Sequence, residues 1–137
     1  MTIHWCGTGL SAIPGLKRLL KLGFKVEVWN RTEKKALDAV GDLTKRVNIF
    51  SLNALKQAVK KGDLVVSMLP ADQHVSLAKI CISKKANFVS SSYIAPEMNV
   101  LDRKAKSSGV VIMNEIGLDP GIDHLMAHHI IEKYRAS

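Results

Sequence analysis

Gly7-Thr8-Gly9-Leu10-Ser11-Ala12 follows directly on an apolar run, Thr2 to Cys6, and opens an amphipathic stretch of helical period. Few backbones accept that order. Gly7 suits a tight turn, Gly9 leaves the main chain bare for close approach, and Ala12 lets the following helix lie close to a sheet. Pro14 fits the first helical turn, where its missing N–H costs little. In a strand–turn–helix context, G-x-G-x-x-A is the dinucleotide-binding fingerprint, with Gly9 letting a pyrophosphate touch the backbone while the N-terminal amides of the helix face the phosphates. Without that context it is only a turn.

The rest of the chain supplies the context. Short apolar runs alternate with amphipathic segments, without internal repeat or low-complexity tract. The pattern predicts strands near Thr2 to Cys6, Lys25 to Trp29, Val47 to Phe50, Leu64 to Leu69, Phe88 to Ser91 and Val110 to Met113. Helices are predicted near Ser11 to Leu22, Glu33 to Val40, Ala54 to Lys60, Gln73 to Lys84, Glu97 to Lys106 and Pro120 to Tyr134, with Gly23, Gly62 and Gly109 as helix stops. Right-handed crossovers then give an α/β fold, a doubly wound parallel six-stranded Rossmann sheet that binds ligands at the carboxyl ends of its strands. At 137 residues, 47% hydrophobic, the chain is expected to form one domain.

Composition removes other classes. No apolar run approaches the roughly 18 residues of a membrane span, and the N-terminal segment lacks a signal peptide's basic start, so a cytoplasmic protein is expected. Cys6 and Cys81 lack metal-ligand spacing and read as buried small hydrophobes of an intracellular protein. The net charge of +8 comes from pairs such as Lys17-Arg18, Lys34-Lys35, Lys60-Lys61 and Lys84-Lys85 spread over successive helices, and aromatics are only 5%. These are solvated helix faces and not a nucleic-acid groove, although the field favours an anionic cofactor or substrate. His124 and His128 stand one helical turn apart, but no Glu of a zincin lies between them and no third ligand is evident, so no metal site is expected. His129, His74 and His4 belong to no recognisable constellation.

Every other polar cluster falls on the carboxyl edge. The second strand ends in Asn30-Arg31-Thr32, where an NAD site usually offers an acid to the ribose diol. Asn30 instead suits the ribose, Arg31 a 2′-phosphate by charge-assisted bonds, and Thr32 adds a hydroxyl, so NADP is preferred to NAD. Glu27 comes too early on the strand for the acid role. Met68-Leu69-Pro70-Ala71 leaves the fourth strand beside the glycine turn, where it can wall the cofactor. After the fifth strand, Ser90-Ser91-Ser92-Tyr93-Ile94-Ala95-Pro96 gathers hydroxyls able to hold carboxylate or amide groups; any one serine alone reads as a strand end or cap. In Met113 to His124, Asp119 is predicted to cap the last helix, Pro120 to sit at its first position and Gly121 to admit a close approach. An Asp at a helix N-terminus repels phosphate and suits an amine, an amide or a hydroxyl.

The glycine turn, Asn30-Arg31-Thr32, Ser91-Ser92-Tyr93-Ile94-Ala95-Pro96 and the run from Asn114 to His124 together resemble saccharopine dehydrogenase, NADP-dependent and L-glutamate-forming, through nearly the whole chain. The resemblance implies reversible oxidation of saccharopine to glutamate and 2-aminoadipate 6-semialdehyde in lysine metabolism. It implies a pyrophosphate loop of Thr8, Gly9, Leu10 and Ser11, and an adenosine ribose and phosphate site at Asn30 and Arg31. Leu69, Ser91 and Ser92 then line the cofactor, Leu118, Asp119 and Pro120 lie on the nicotinamide side, and Ser92, Tyr93 and Asp119 meet saccharopine. The reaction needs an unprotonated amine presented to the nicotinamide and water attack on the resulting imine. Asp119 is the candidate for orienting the amine or the water, Tyr93 for a hydrogen bond to substrate; which residue is a general base stays open.

Members of this family continue with a second α/β domain carrying substrate carboxylate ligands and a homodimer contact, whereas this chain stops at Ser137. Residues 1–137 are expected to form the dinucleotide-binding domain, either as a fragment of such an enzyme, able to bind NADP while lacking turnover, or as a free-standing cofactor module. Two rivals share the glycine turn. A related NADP-dependent reductase of the carboxynorspermidine dehydrogenase kind should not share the Asn114 to His124 wording; a nucleotide-sensing regulatory module needs neither Tyr93 nor Asp119.

Overall fold

A computed structural model describes residues 1–135 and shows a single parallel sheet with helices on both faces. The chain alternates β1 (Ile3–Cys6), α1 (Ile13–Lys21), β2 (Val26–Asn30), α2 (Glu33–Val40), β3 (Val47–Ile49), α3 (Leu52–Ala58), β4 (Leu64–Ser67), α4 (His74–Lys84), β5 (Asn87–Ser90), α5 (Pro96–Asn99), α6 (Asp102–Ser108), β6 (Ile112–Met113) and α7 (Ile122–Tyr134). Strand order is β3-β2-β1-β4-β5-β6 with every pairing parallel. The order reverses between β1 and β4, and such a switch point opens a crevice beyond the strand ends.

β1 lies at the centre, and all four of its residues are buried, as a strand covered on both faces must be. Ile3 and Trp5 face one way and pack with Val26, Val28, Ala12, Leu16, Ala36 and Val40 under α1 and α2. Cys6 faces the other way with Trp29, Val65 and Phe88, beneath Leu55, Leu77, Ala78, Cys81 and Met98. Burial pushes the Cys81 thiol up to about 12 and the Cys6 thiol further still, so both behave as apolar filling.

The amino edge of the sheet is locked by polar groups. The Trp29 indole N–H donates to His4 Nδ1 at 3.2 Å, which leaves the imidazole proton on Nε2, 3.3 Å from Asp63 Oδ2. Asp63 also accepts the N–H of Thr2 at 2.7 Å and of Lys60 at 3.0 Å. His4 therefore does belong to a constellation, one that ties β1, β2 and the start of β4 together.

Several predicted boundaries move. One helix predicted over Glu97 to Lys106 is two, α5 and α6, broken at Val100 and Leu101. Gly23 and Gly109 follow helix ends with φ of 81° and 65°, but Gly62, also at 81°, lies four residues past α3 in the turn into β4. α4 stops instead at Lys85, in the left-handed region. The largest correction is at α7: it begins at Ile122 after a Gly121 cap, so Asp119 is not its N-cap and Pro120 is not its first residue. The physical reason is local. Gly117 donates its N–H to the Pro120 carbonyl at 3.1 Å and accepts the Ile122 N–H at 3.0 Å, so residues 117–122 close a separate turn ahead of the helix. α7 buries none of its residues; Leu125, Met126, Ile130 and Ile131 stand exposed. Among the described residues no helix is long and apolar enough to cross a membrane.

Candidate functional site

The glycine turn is held from beneath. Gly7 donates its N–H to the Trp29 carbonyl at 2.8 Å and receives the Trp5 indole N–H on its own carbonyl at 2.9 Å. Its φ is 102°, and a Cβ there would stand 2.8 Å from the Met68 carbonyl oxygen, so only glycine closes this turn against the β4 loop. Gly9 differs: a Cβ there would meet nothing of the protein within 4 Å. The Gly9 carbonyl accepts the N–H groups of Ala12 and Ile13, while those of Thr8, Gly9, Leu10 and Ser11 find no acceptor among the described residues. No acidic residue enters the first turn of α1. Bare, cation-like donors over a glycine and a helix N-terminus fit an anionic group such as a pyrophosphate. Leu10 and Ser11 lie exposed beside it, and Ala12 is buried.

Asn30 ends β2 and donates its side-chain amide to the Thr32 carbonyl at 2.9 Å, which rigidifies the corner and leaves the side-chain oxygen to accept. Arg31 and Thr32 are exposed on that corner. Glu27 is indeed out of reach of it: it pairs in register with His4 and accepts the Asn48 amide at 3.2 Å on the amino half of the strand. Leu69 leans on Gly7, and its carbonyl lies 3.0 Å from His74 Nε2. A carbonyl only accepts, so Nε2 carries the imidazole proton. Burial lowers the His74 pKa despite that bond and the nearby Asp72 carboxylate. His74 thus ties the start of α4 back to Leu69 in the loop after β4, a contact that sequence did not signal.

The last two strand ends form one unit. Ser90 Oγ donates to Asn114 Oδ1 at 3.0 Å, the Ile116 N–H to the Ser90 carbonyl at 3.2 Å, and the Glu115 N–H to the Ser92 carbonyl at 3.1 Å. Ser91 lies against Gly117, where a Cβ would come within 3.2 Å of its own, and its hydroxyl points to Met68 Sδ at 3.9 Å. Gly121 has φ 145°, and a Cβ on it would stand 2.4 Å from the Gly117 carbonyl oxygen and 2.6 Å from that of Glu115. The close approach predicted for Gly121 is therefore made by its own chain. Leu118 is exposed and Pro120 buried in the same turn.

Tyr93 and Asp119 meet in the open. The Tyr93 hydroxyl donates to Asp119 Oδ1 at 2.6 Å, and both residues are exposed. That bond, then burial and the charges of Asp119, Asp123 and Glu115, raises the phenol pKa above its ordinary value. Tyr93 is thereby a fixed donor and a poor proton acceptor near neutrality. Asp119 does not occupy helix amides; Asp123, in the first turn of α7, reaches back to accept the N–H of Gly121 at 2.7 Å. Three carboxylates around one phenol make a local acidic spot on a basic protein, suited to an amine for this reason and not through helix capping.

A cleft of about 290 Å³ opens beside the switch point, lined by Ser11 and Ala12 of the glycine turn, Gly15 of α1, and Met68, Ser91 and Ile116 opposite. Of the predicted site residues, Ser11 and Ser91 line this hollow; Asn30 and Arg31 lie at and just past the end of β2, the strand beside β1. His124 and His128 lie exposed on α7.

Residues 4–113 match the family model described as the saccharopine dehydrogenase NADP-binding domain. The chain is similar to saccharopine dehydrogenase [NADP(+), L-glutamate-forming] of Pyricularia oryzae, 40% identical over 135 residues, which cover 96% of this chain and 30% of that protein. It is 40% identical over 99 residues to the alpha-aminoadipic semialdehyde synthase of Arabidopsis thaliana, covering 72% of this chain and 9% of the relative. Apo saccharopine dehydrogenase (L-Glu forming) from Saccharomyces cerevisiae superposes with a TM-score of 0.83 at 30% identity, over 98% of this chain and 31% of that one. The chain therefore spans under a third of the length of the relatives it matches.

Proposed function

The chain belongs to the saccharopine dehydrogenase NADP-binding domain family, and on that premise we propose that it holds NADP(H) for an oxidoreductase interconverting saccharopine with L-glutamate and 2-aminoadipate 6-semialdehyde, in lysine metabolism. The observation that carries this reading is the 2.6 Å Tyr93–Asp119 pair standing on the same sheet edge as a glycine turn with free amides. Thr8, Gly9, Leu10 and Ser11 cradle the pyrophosphate, and Gly7 sets the turn. Asn30, Arg31 and Thr32 take the adenosine ribose and its 2′-phosphate, where Arg31 supplies the charge that separates NADP from NAD. Leu69, Ser91, Ser92, Leu118 and Pro120 wall the nicotinamide side.

Bound there, NADP⁺ supplies the hydride acceptor for the carbon bearing the secondary amine. The residues of the chain do the rest. Tyr93 spends its proton on Asp119 Oδ1, which fixes the carboxylate and leaves Oδ2 to accept from the substrate amine or from the attacking water. Ser92 and Tyr93 meet the substrate beside it. The same reading carries a cytoplasmic location, with two buried, unbridged cysteines, and a homodimer for the whole enzyme.

The test is saccharopine-dependent reduction of NADP⁺, followed by NADPH absorbance with glutamate measured as product, in the enzyme that carries this domain. Asp119→Ala should lower turnover roughly 10²- to 10⁴-fold; unchanged turnover sinks the assignment of Asp119. Reduction with another secondary-amine amino acid but not with saccharopine would move the protein to a sister reductase.

A further inference from the structure

Among the described residues Glu115 is one of two non-glycine residues with positive φ, at 60°, the other being the helix-ending Lys85. That conformation is uncommon for a residue with a Cβ, and it persists only where the surroundings impose it. Its surroundings are specific. The Glu115 N–H donates to the Ser92 carbonyl at 3.1 Å, and its carboxylate Oε1 accepts the Ile94 N–H at 3.1 Å. One residue thus grips the main chain immediately before and immediately after Tyr93. On its other side the Glu115 carbonyl lies within 2.6 Å of where a Cβ on Gly121 would stand, so the Asp119 turn folds back onto the same residue.

We infer that Glu115 is a positioning residue, a two-point clamp on Ser92 and Ile94 that aims the Tyr93 hydroxyl at Asp119. Resting on the reading of the site proposed above, it acts on the reaction through this pair without touching substrate. The left-handed backbone turns the Glu115 side chain toward Ile94 while its N–H still reaches Ser92. In the clamp the carboxylate serves as an acceptor for the Ile94 N–H, and its charge is the smallest of the causes that raise the Tyr93 pKa, so an amide of the same shape should keep the clamp.

The test compares Glu115→Gln with Glu115→Gly in this chain, on a Tyr134→Phe background that leaves Tyr93 as the sole tyrosine. Gln keeps the acceptor and loses the charge; Gly loses the acceptor but accommodates a φ of 60° freely, so folding is not in question. Phenol titration by absorbance should find Tyr93 raised in the parent and nearly as raised in Glu115→Gln, but back near the ordinary value of about 10 in Glu115→Gly. In the enzyme, kcat for saccharopine oxidation should fall roughly 10- to 100-fold in Glu115→Gly, with the KM for NADP⁺ unchanged and kcat largely restored by Gln. Equal phenol titrations in Gln and Gly would overturn the clamp, as would a Gly variant that titrates like the parent. If the unsubstituted enzyme fails to oxidise saccharopine, the functional reading falls while the phenol titration still decides the clamp.

Discussion

Two glycines separate what the fold requires from what a ligand requires. A Cβ at Gly121 would stand 2.4 Å from the Gly117 carbonyl oxygen at a φ of 145°, so Gly121→Ala should cost about 2–4 kcal/mol in denaturant unfolding through strain and overlap. At Gly9 a Cβ meets no protein atom within 4 Å, so Gly9→Ala should leave unfolding nearly unchanged yet weaken NADPH binding, because the added methyl would fill the space that the function proposed above gives to the pyrophosphate. Comparable loss of stability in both variants, or full NADPH affinity in Gly9→Ala, would contradict the division. Sequence made both glycines legible as special, but not the difference between them. The capping role expected of Asp119 failed for a local reason: Asp119-Pro120-Gly121 has the composition of a helix start, and only the hydrogen bonds of Gly117 to Pro120 and Ile122 show that the helix waits until Ile122.

Among the elements, the strands and α2 were legible because a parallel sheet covered on both faces writes itself as short apolar runs between amphipathic ones. What escaped were interactions between elements far apart in sequence. His4, Trp29 and Asp63 join three strands at the amino edge, and nothing in their spacing announces it. Burial pushes the Asp63 carboxyl up, but the N–H groups of Thr2 and Lys60 and the neighbouring His4 together bring it below its ordinary value. A carboxyl with a folded pKa below its unfolded one stabilises fully above the unfolded value, and this contribution is lost as pH falls through the folded value. Asp63→Asn should therefore flatten the acid limb of stability below about pH 4, the ordinary carboxylate range. Unfolding free energy measured against pH checks this; parallel acid limbs for parent and variant would show that the carboxylate contributes nothing through its charge. The break between α5 and α6 at Val100 and Leu101 and the left-handed end of α4 at Lys85 were equally silent, since neither carries a glycine or proline.

For the molecule as a whole, the strand order brings four stretches scattered over more than a hundred positions of sequence to one edge: the glycine turn, Asn30-Arg31-Thr32, the β4 loop, and the Ser90-to-Asp119 unit. The excess of +8 is spread widely and draws any anion, so it cannot by itself discriminate between dinucleotides; in the function proposed above, discrimination falls to Arg31, just past the end of β2. Calorimetric titration of this chain with NADPH and with NADH, at one salt concentration, tests that arrangement most directly. The account predicts NADPH binding at least roughly tenfold tighter than NADH, as a charge-assisted phosphate contact implies, with the gap closing in Arg31→Ala. Equal affinities for the two dinucleotides, or binding of neither, would contradict it.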